Sequence, residues 1–176
     1  SDYKIYMIKR KLLALSLLVA LFSCKKSEEN LADSPTGWDI LETPVESSLR
    51  GLFPLTGEIA WASGSEGTWL RTIDGGKTWD HGVVAGLDTV DFRSIHAFDA
   101  LSAIVVSAGQ PAVIYKTQDG GKTWDLKHQE NEFAFLDGIS FASSSRGFVI
   151  GDPEGGKWTI LQTATQGNTW YPLDSL

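Results

Sequence analysis

The 176-residue chain has one cysteine, one methionine and three scattered histidines. A lone Cys24 cannot close an internal disulfide, and so few histidines supply no metal-ligand set, so no metal is expected. Paired redox cysteines, a haem-attachment motif and a Gly-x-Gly-x-x-Gly turn are all missing, so the sequence implies no cofactor and gives no support to an oxidoreductase. The longest apolar stretch, Leu12 to Phe22, broken only by Ser16, spans eleven residues, against the roughly 20 that a membrane-spanning helix needs. Positive charge is scarce too. The first 26 residues carry six Lys/Arg and one Asp, a charge of +5, which leaves −12 on residues 27–176. An acidic domain of that kind repels phosphate backbones, so nucleic acid is not an expected partner.

What the chain does have is a repeat. Thr72-Ile73-Asp74-Gly75-Gly76-Lys77-Thr78-Trp79 returns almost unchanged as Thr117-Gln118-Asp119-Gly120-Gly121-Lys122-Thr123-Trp124. A worn copy follows at Thr163-Ala164-Thr165-Gln166-Gly167-Asn168-Thr169-Trp170, so the three tryptophans stand 45 and 46 residues apart. A period of this length, with seven tryptophans and few helix-like apolar stripes, indicates the blades of a β-propeller. Turn residues divide each repeat into four short strands. The first are expected at Leu49–Leu55, Phe92–Phe98 and Leu136–Ala142, the second at Glu58–Ser63, Ala103–Ala108 and Gly147–Gly151. The third are expected at Thr68–Ile73, Ala112–Gln118 and Trp158–Ala164, and the fourth begin at Trp79, Trp124 and Trp170. The fold class is therefore all-β, with four-stranded antiparallel blades at about 37–80, 81–125 and 126–176.

The repeated turn has a physical logic. Asp74 and Asp119 can accept hydrogen bonds from N–H groups two residues on, and the glycine pairs supply the positive φ of a tight hairpin. The third copy lacks the carboxylate and one glycine, so a looser turn is expected there. Trp79, Trp124 and Trp170 offer large apolar bodies, most simply placed between neighbouring blades.

Upstream, Met7 is the expected natural start, which sets Ser1–Tyr6 outside the natural protein. Ile8-Lys9-Arg10-Lys11, the short apolar run and Ser23-Cys24 then read as a secretory signal. Leu21-Phe22-Ser23-Cys24 resembles a bacterial lipobox, which implies that residues 1–24 end at a lipidated Cys24 and that the protein is anchored in the cell envelope, at the outer membrane. Ordinary secretion with a free thiol is the alternative. Residues 25–36 are polar and read as a flexible tether. Their start, Lys25-Lys26-Ser27-Glu28-Glu29, loosely resembles export tags of surface lipoproteins, but a solvated linker is the better account.

From Gly37 onward, Thr-x-Asp-x-Gly-x-Thr-Trp is similar to the Asp-box, or BNR repeat, of sialidases and of photosystem II stability/assembly factor-like propellers. The resemblance implies that Asp74, Gly76, Trp79, Asp119, Gly121, Trp124, Gly167 and Trp170 are structural, on hairpins away from the ligand-binding mouth. Three blades do not close a ring, for which four to eight are typical. Trp38-Asp39-Ile40-Leu41 matches the fourth-strand starts and is expected to complete a last blade. The chain then reads as the N-terminal part of a six- to eight-bladed propeller about twice as long. Assembly of open arcs between chains is the alternative.

Function is sought on the loops joining fourth to first and second to third strands, which meet at the mouth. Arg50, Arg93 and Asp137 hold matching positions in successive blades. Glu66, Gln110-Pro111, and Asp152 and Glu154 of the acidic, glycine-rich Gly151–Lys157 stretch join them as ligand-binding candidates. Arginines there can grip a carboxylate or another anion. Pairing of Arg50 and Arg93 with acids such as Asp91 or Asp137 is the plainer alternative. Three functions are compatible: a non-catalytic lipid-anchored scaffold for a protein or assembly partner, a sialidase-like glycosidase, and a structural or ligand-sequestering surface protein. The glycosidase needs an arginine triad with a Tyr/Glu pair. Phe92-Arg93-Ser94-Ile95 is only distantly similar to the sialidase Phe/Tyr-Arg-Ile-Pro motif, only two arginines are in place, and Tyr115 belongs to a third strand. The scaffold is the favoured reading, with a protein partner or an anionic or glycan ligand at the mouth, and the catalytic residues are unassigned.

Overall fold

The computed structural model of the chain describes Gly37 and residues 40–173. The chain divides into two units, Ser1–Ile40 and Leu41–Leu176. Only Gly37 and Ile40 of the first are described, so the fold below is that of the second. The signal segment, Cys24 and the tether lie outside the described residues, as do Trp38 and Asp39 of the expected closing strand. Ile40 and Leu41 lie in no strand.

Twelve strands run in order with no helix among the described residues. The first sheet is β1 (Leu49–Pro54), β2 (Ala60–Gly64), β3 (Thr68–Thr72) and β4 (Asp80–Val83). The second is β5 (Asp91–Ala97), β6 (Ala103–Ala108), β7 (Val113–Thr117) and β8 (Asp125–Gln129). The third is β9 (Leu136–Phe141), β10 (Gly147–Glu154), β11 (Lys157–Thr163) and β12 (Tyr171–Pro172). Each sheet is an antiparallel meander in sequence order, which is one propeller blade. The Asp-box turns therefore all lie at one end of the blades, and the β2–β3, β6–β7 and β10–β11 hairpins lie at the other.

One boundary differs from expectation in a way that matters. Asp152, Pro153 and Glu154 belong to β10, not to a loop, and the β10–β11 hairpin runs as a ribbon out to Glu154 opposite Lys157. Gly155 and Gly156, with φ of 58° and 83°, close it in two residues, which only positive-φ residues do readily. A register shift between Gly151 and Pro153 accommodates the proline.

The core lies between blades. Along β6, alternate side chains point to opposite faces: Ala103 and Val105 join Trp61, Trp69, Val90, Phe92 and Ile95, whereas Ile104 and Val106 join Ile114, Leu136, Val149, Leu161 and Trp170. The second blade thus buries one face against the first blade and the other against the third. Trp124 of the second blade packs on Trp61 and Trp69 of the first, at ring centroid distances of 6.3 and 6.1 Å. Its indole N–H donates to the Gly121 carbonyl at 3.2 Å, and Trp170 repeats this with Gly167 at 3.1 Å. Trp79 is half-buried, and its indole N–H has no partner among the described residues.

The second glycine of each turn marks the closest approach. Gly121 has φ of 92°, and the space a Cβ would need is filled by the Trp69 ring of the preceding blade. Gly167 is blocked in the same way by Ile104. Gly121→Ala should therefore destabilise the fold by about 2–4 kcal/mol, combining a positive-φ side chain with overpacking. Gly155→Ala, with nothing near its Cβ position, should cost about 1 kcal/mol. Urea unfolding of the two variants measures the difference, and equal losses would refute the packing account.

Candidate functional site

The first strand of every blade carries one extra residue at the same place. The ladder between β1 and β2 skips Arg50, that between β5 and β6 skips Arg93, and that between β9 and β10 skips Asp137. A bulge of this kind re-aims a side chain that the pleat would otherwise direct into the sheet. The three residues lie near strand starts, at the end opposite the Asp-boxes, so successive blades present them at one mouth.

There they form cross-blade ion pairs. Arg50 Nε lies 3.3 Å from Asp91 Oδ2, and Arg93 Nη1 donates to Asp137 Oδ1 at 2.6 Å. The Arg93 guanidinium also lies over the Phe135 ring, 5.5 Å from its centroid. All four charged side chains are between a third and a half exposed. At that exposure each pair contributes only about 0.2–1 kcal/mol, so the contacts orient the arginines more than they stabilise the fold. The plainer sequence reading, pairing with Asp91 and Asp137, describes this arrangement.

The remaining candidates do not gather on that ladder. Glu66, at φ of 60°, lines a separate cleft of about 340 Å³ with Val45, Glu46, Ser47, Thr68 and His81. Gln110 donates its side-chain amide to the Ala134 carbonyl at 2.8 Å, holding the β8–β9 loop. Glu154 accepts from Asn131 Nδ2 at 3.0 Å. Asp152 touches the ladder's surroundings through its backbone, donating its N–H to the Phe135 carbonyl at 2.8 Å. Sequence reasoning missed the aromatic side of this mouth: Phe135 beneath Arg93, and the exposed Phe133 and Trp158. No repeat pattern marks them.

The Asp-boxes are hydrogen-bonded turns. Thr72 Oγ1 accepts the Gly76 N–H and donates to Asp74 Oδ1, both at 2.9 Å. Asp74 then accepts the Thr78 N–H at 2.9 Å and the Thr78 hydroxyl at 2.6 Å. The second copy repeats the set with Thr117, Asp119, Gly121 and Thr123. The carboxylates thus reach four residues on rather than two, because the threonine hydroxyl takes the nearer N–H groups. These bonds, led by that of the Thr78 or Thr123 hydroxyl, lower the pKa of Asp74 and Asp119 to about 2. In the third copy Thr165 stands in for the carboxylate, meeting the Thr169 hydroxyl at 2.8 Å and accepting its N–H at 3.0 Å. The expected loosening amounts to a Gly167 to Thr163 bond of 3.1 Å. Gln166 there adopts φ of 57° in place of a glycine.

A second missed pair lies beneath these turns. Arg71 donates to the Ala100 carbonyl of the next blade at 2.8 Å and to Asp80 at 2.5 Å. Lys116, fully buried, donates to the Gln166 carbonyl at 2.8 Å and Asn168 Oδ1 at 3.1 Å. Burial, with the charge of Lys127, lowers the Lys116 pKa, and Asp99 opposes the shift. The signal was present: a cation directly precedes the Asp-box threonine in the first two repeats.

His96 on β5 sits among Phe53, Phe98 and Phe141, with centroids 4.3, 4.9 and 4.5 Å away. Burial lowers its pKa below 6.5.

Three meander blades joined through Asp-box turns, with a mouth ringed by bulged first-strand residues, define a partial Asp-box β-propeller. The chain belongs to the family described as photosynthesis system II assembly factor YCF48, whose family model matches residues 30–134, more than half of its length. Among solved structures it resembles a YCF48 bound to a D1 peptide, at 21% identity and a TM-score of 0.61, covering 76% of this chain and 42% of that one. It resembles YCF48 from Cyanidioschyzon merolae at 22% identity and a TM-score of 0.57, with the same coverage. A GH74 enzyme from Niastella koreensis matches at 20% identity and 0.51, over 70% of this chain and 21% of that one. At these identities the likeness is one of fold, and the chain spans less than half the length of each. No curated protein matches its sequence.

The shifted groups give a pH prediction. His96 binds a proton more readily in the unfolded chain, so its contribution is present above pH 6.5 and is lost as pH falls below it. Asp74 and Asp119 contribute fully above pH 3.8, and this is lost as pH falls towards 2. Denaturant midpoints measured against pH should fall in two steps. His96→Phe should flatten the upper step, Asp119→Asn should shrink the lower one and leave the share of Asp74, and unchanged profiles in both variants would refute the assignment.

Proposed function

We propose that this protein is a non-catalytic, lipid-anchored propeller that holds a protein partner at its mouth in the bacterial cell envelope. The observation that carries the reading is the pair of bulged arginines. Arg50 and Arg93 are oriented by acids of the neighbouring blade, yet each stays exposed enough to exchange that acid for a ligand carboxylate. A guanidinium already held in place loses less side-chain entropy when a partner arrives. Family membership supports the reading, and the YCF48 structure with a bound D1 peptide supports a peptide as the occupant here. The exposed Phe133 beside this mouth suits a peptide carrying apolar as well as acidic groups.

A glycosidase is the second reading, favoured by the likeness to a GH74 enzyme alone. Glycoside hydrolysis wants one carboxyl group with a raised pKa beside a second, ionised one. The two described carboxylates with shifted acidity, Asp74 and Asp119, are shifted down and sit at the opposite end of the blades.

An immobilised library of short peptides with acidic and aromatic positions, probed with the labelled protein, tests the mouth. Bound peptides should be enriched in acidic side chains, and the double variant Arg50→Ala/Arg93→Ala should bind them at least tenfold more weakly, with affinity falling as salt rises. Equal binding by the variant, or hydrolysis of β-glucan or sialoside substrates by the unaltered chain, would reject the proposal. The anchor is tested separately by expression with an alkyne-labelled fatty acid. Label should enter the protein and partition with membranes, and Cys24→Ala should abolish both; label retained by that variant would exclude Cys24 as the lipid site.

A further inference from the structure

The bulge that carries Arg93 is held from the side as well as from within its own sheet. Ser63 on β2 is 0% exposed, and its hydroxyl crosses to the second blade, where it donates to the Phe92 carbonyl at 3.1 Å. Phe92 stands between Asp91 and Arg93. Asp91 pairs with Arg50, and Arg93 pairs with Asp137, so one buried bond fixes the backbone between a member of each ion pair. The ladder of β5 with β6 shifts register between Phe92 and Ser94, and a bulge leaves its extra residue outside the ladder. The Ser63 hydroxyl ties that irregular stretch to the preceding blade.

Gly51 leaves room for this bond. It lies directly opposite Ser63 on β1, and a Cβ there would come within 2.5 Å of Ser63 Oγ and 3.2 Å of Ser94 Cα. In the second blade the equivalent cross-strand pair is Ser94 opposite Val106, so the hydroxyl comes from the first strand instead of the second. Ser94 Oγ accepts the Ile139 N–H of the third blade at 3.2 Å, two residues beyond Asp137. Each interface therefore directs one hydroxyl at the bulged strand of the following blade. The serine is not there merely to fill space, because Val106 occupies the place of Ser63 with the same full burial.

We propose that Ser63 is a positioning residue for the mouth: by fixing the Phe92 carbonyl it sets the directions of Asp91 and Arg93, and through them those of both ladder arginines. The inference rests on the reading of the arginine ladder as a ligand-binding surface. The ion pairs themselves are exposed and weak, so they do not define their own geometry. A bond from a fully buried hydroxyl is shielded from competing water and holds the backbone that both pairs spring from. Groups whose supporting contacts are already in place need less ordering when a ligand arrives.

The test begins without a ligand. Side-chain Nε–H NMR signals are recorded for the unaltered chain, for Ser63→Ala and for Ile104→Val, a core change between the second and third blades; Arg50→Ala and Arg93→Ala assign the two ladder signals. Ser63→Ala should move the Arg50 and Arg93 signals and leave that of Arg71, at the Asp-box end, in place. Ile104→Val should lower the melting temperature and move neither ladder signal, which separates positioning from a loss of stability. The acidic peptides enriched from the library are then titrated. Ser63→Ala should bind them about three- to tenfold more weakly, and should add no further loss in the Arg50→Ala/Arg93→Ala background. Ladder signals unmoved by Ser63→Ala, peptide affinity equal to that of the unaltered chain, or an affinity loss that persists in full without the arginines would overturn the proposal. Moved signals in a protein that binds no acidic peptide would uphold Ser63 as the residue that sets the arginines and reject the peptide reading of the mouth.

Discussion

The fold depends on an absence of side chain. In the second and third Asp-box turns the second glycine sits where the preceding blade inserts a tryptophan ring or an isoleucine, and no Cβ can share that space. The threonine and aspartate of the box hold the turn in the conformation that brings this glycine forward. The following tryptophan is then fixed by its own glycine carbonyl and laid against the previous blade. A local hydrogen-bond motif thereby becomes a tertiary packing device. Sheets that would each be marginal alone are joined in this way, and the second blade is buried on both faces.

The third copy shows which part of the motif that device needs. Thr165 replaces the aspartate, and a hydroxyl supplies the bond to the residue four positions on. Gln166 replaces the first glycine at the cost of a positive-φ side chain. Gly167 is retained, because Ile104 occupies its Cβ position. Charge and the first glycine are thus replaceable, but the close approach is not. Arg71 and Lys116 add a second link, carrying a cation from one blade to carbonyls of the next. A buried lysine in this setting is tolerable because its donors are satisfied by fixed oxygens.

At the other end of the blades the chemistry is different. Bulges, not turns, place Arg50, Arg93 and Asp137, and their ion pairs stay in partial contact with water. Pairs this exposed add little to stability, so the ladder is not what holds the blades together. The Asp-box turns and the arginine ladder are therefore separated by the length of a strand, and the ladder residues can vary without disturbing the turns.

Much of this was legible in the residues. The 45-residue period and the turn residues located the twelve strands to within a few residues, because turns and strands rest on local geometry. Arg50, Arg93 and Asp137 were recognised as equivalent from their spacing alone. The extent of the β10–β11 ribbon was not legible, since Asp152-Pro153-Glu154 has the composition of a loop and pairs only because Gly155-Gly156 turns back tightly. Nor could spacing reveal which acid each arginine meets, that Phe135 lies under Arg93, or that His96 stands among three rings drawn from different blades. The sequence by itself determined the blade, because strand, turn and bulge arise between residues a few positions apart. Only the tertiary structure decided the core and the ladder, because these form between residues some 45 positions apart, whose meeting depends on how one twisted sheet stacks on the next.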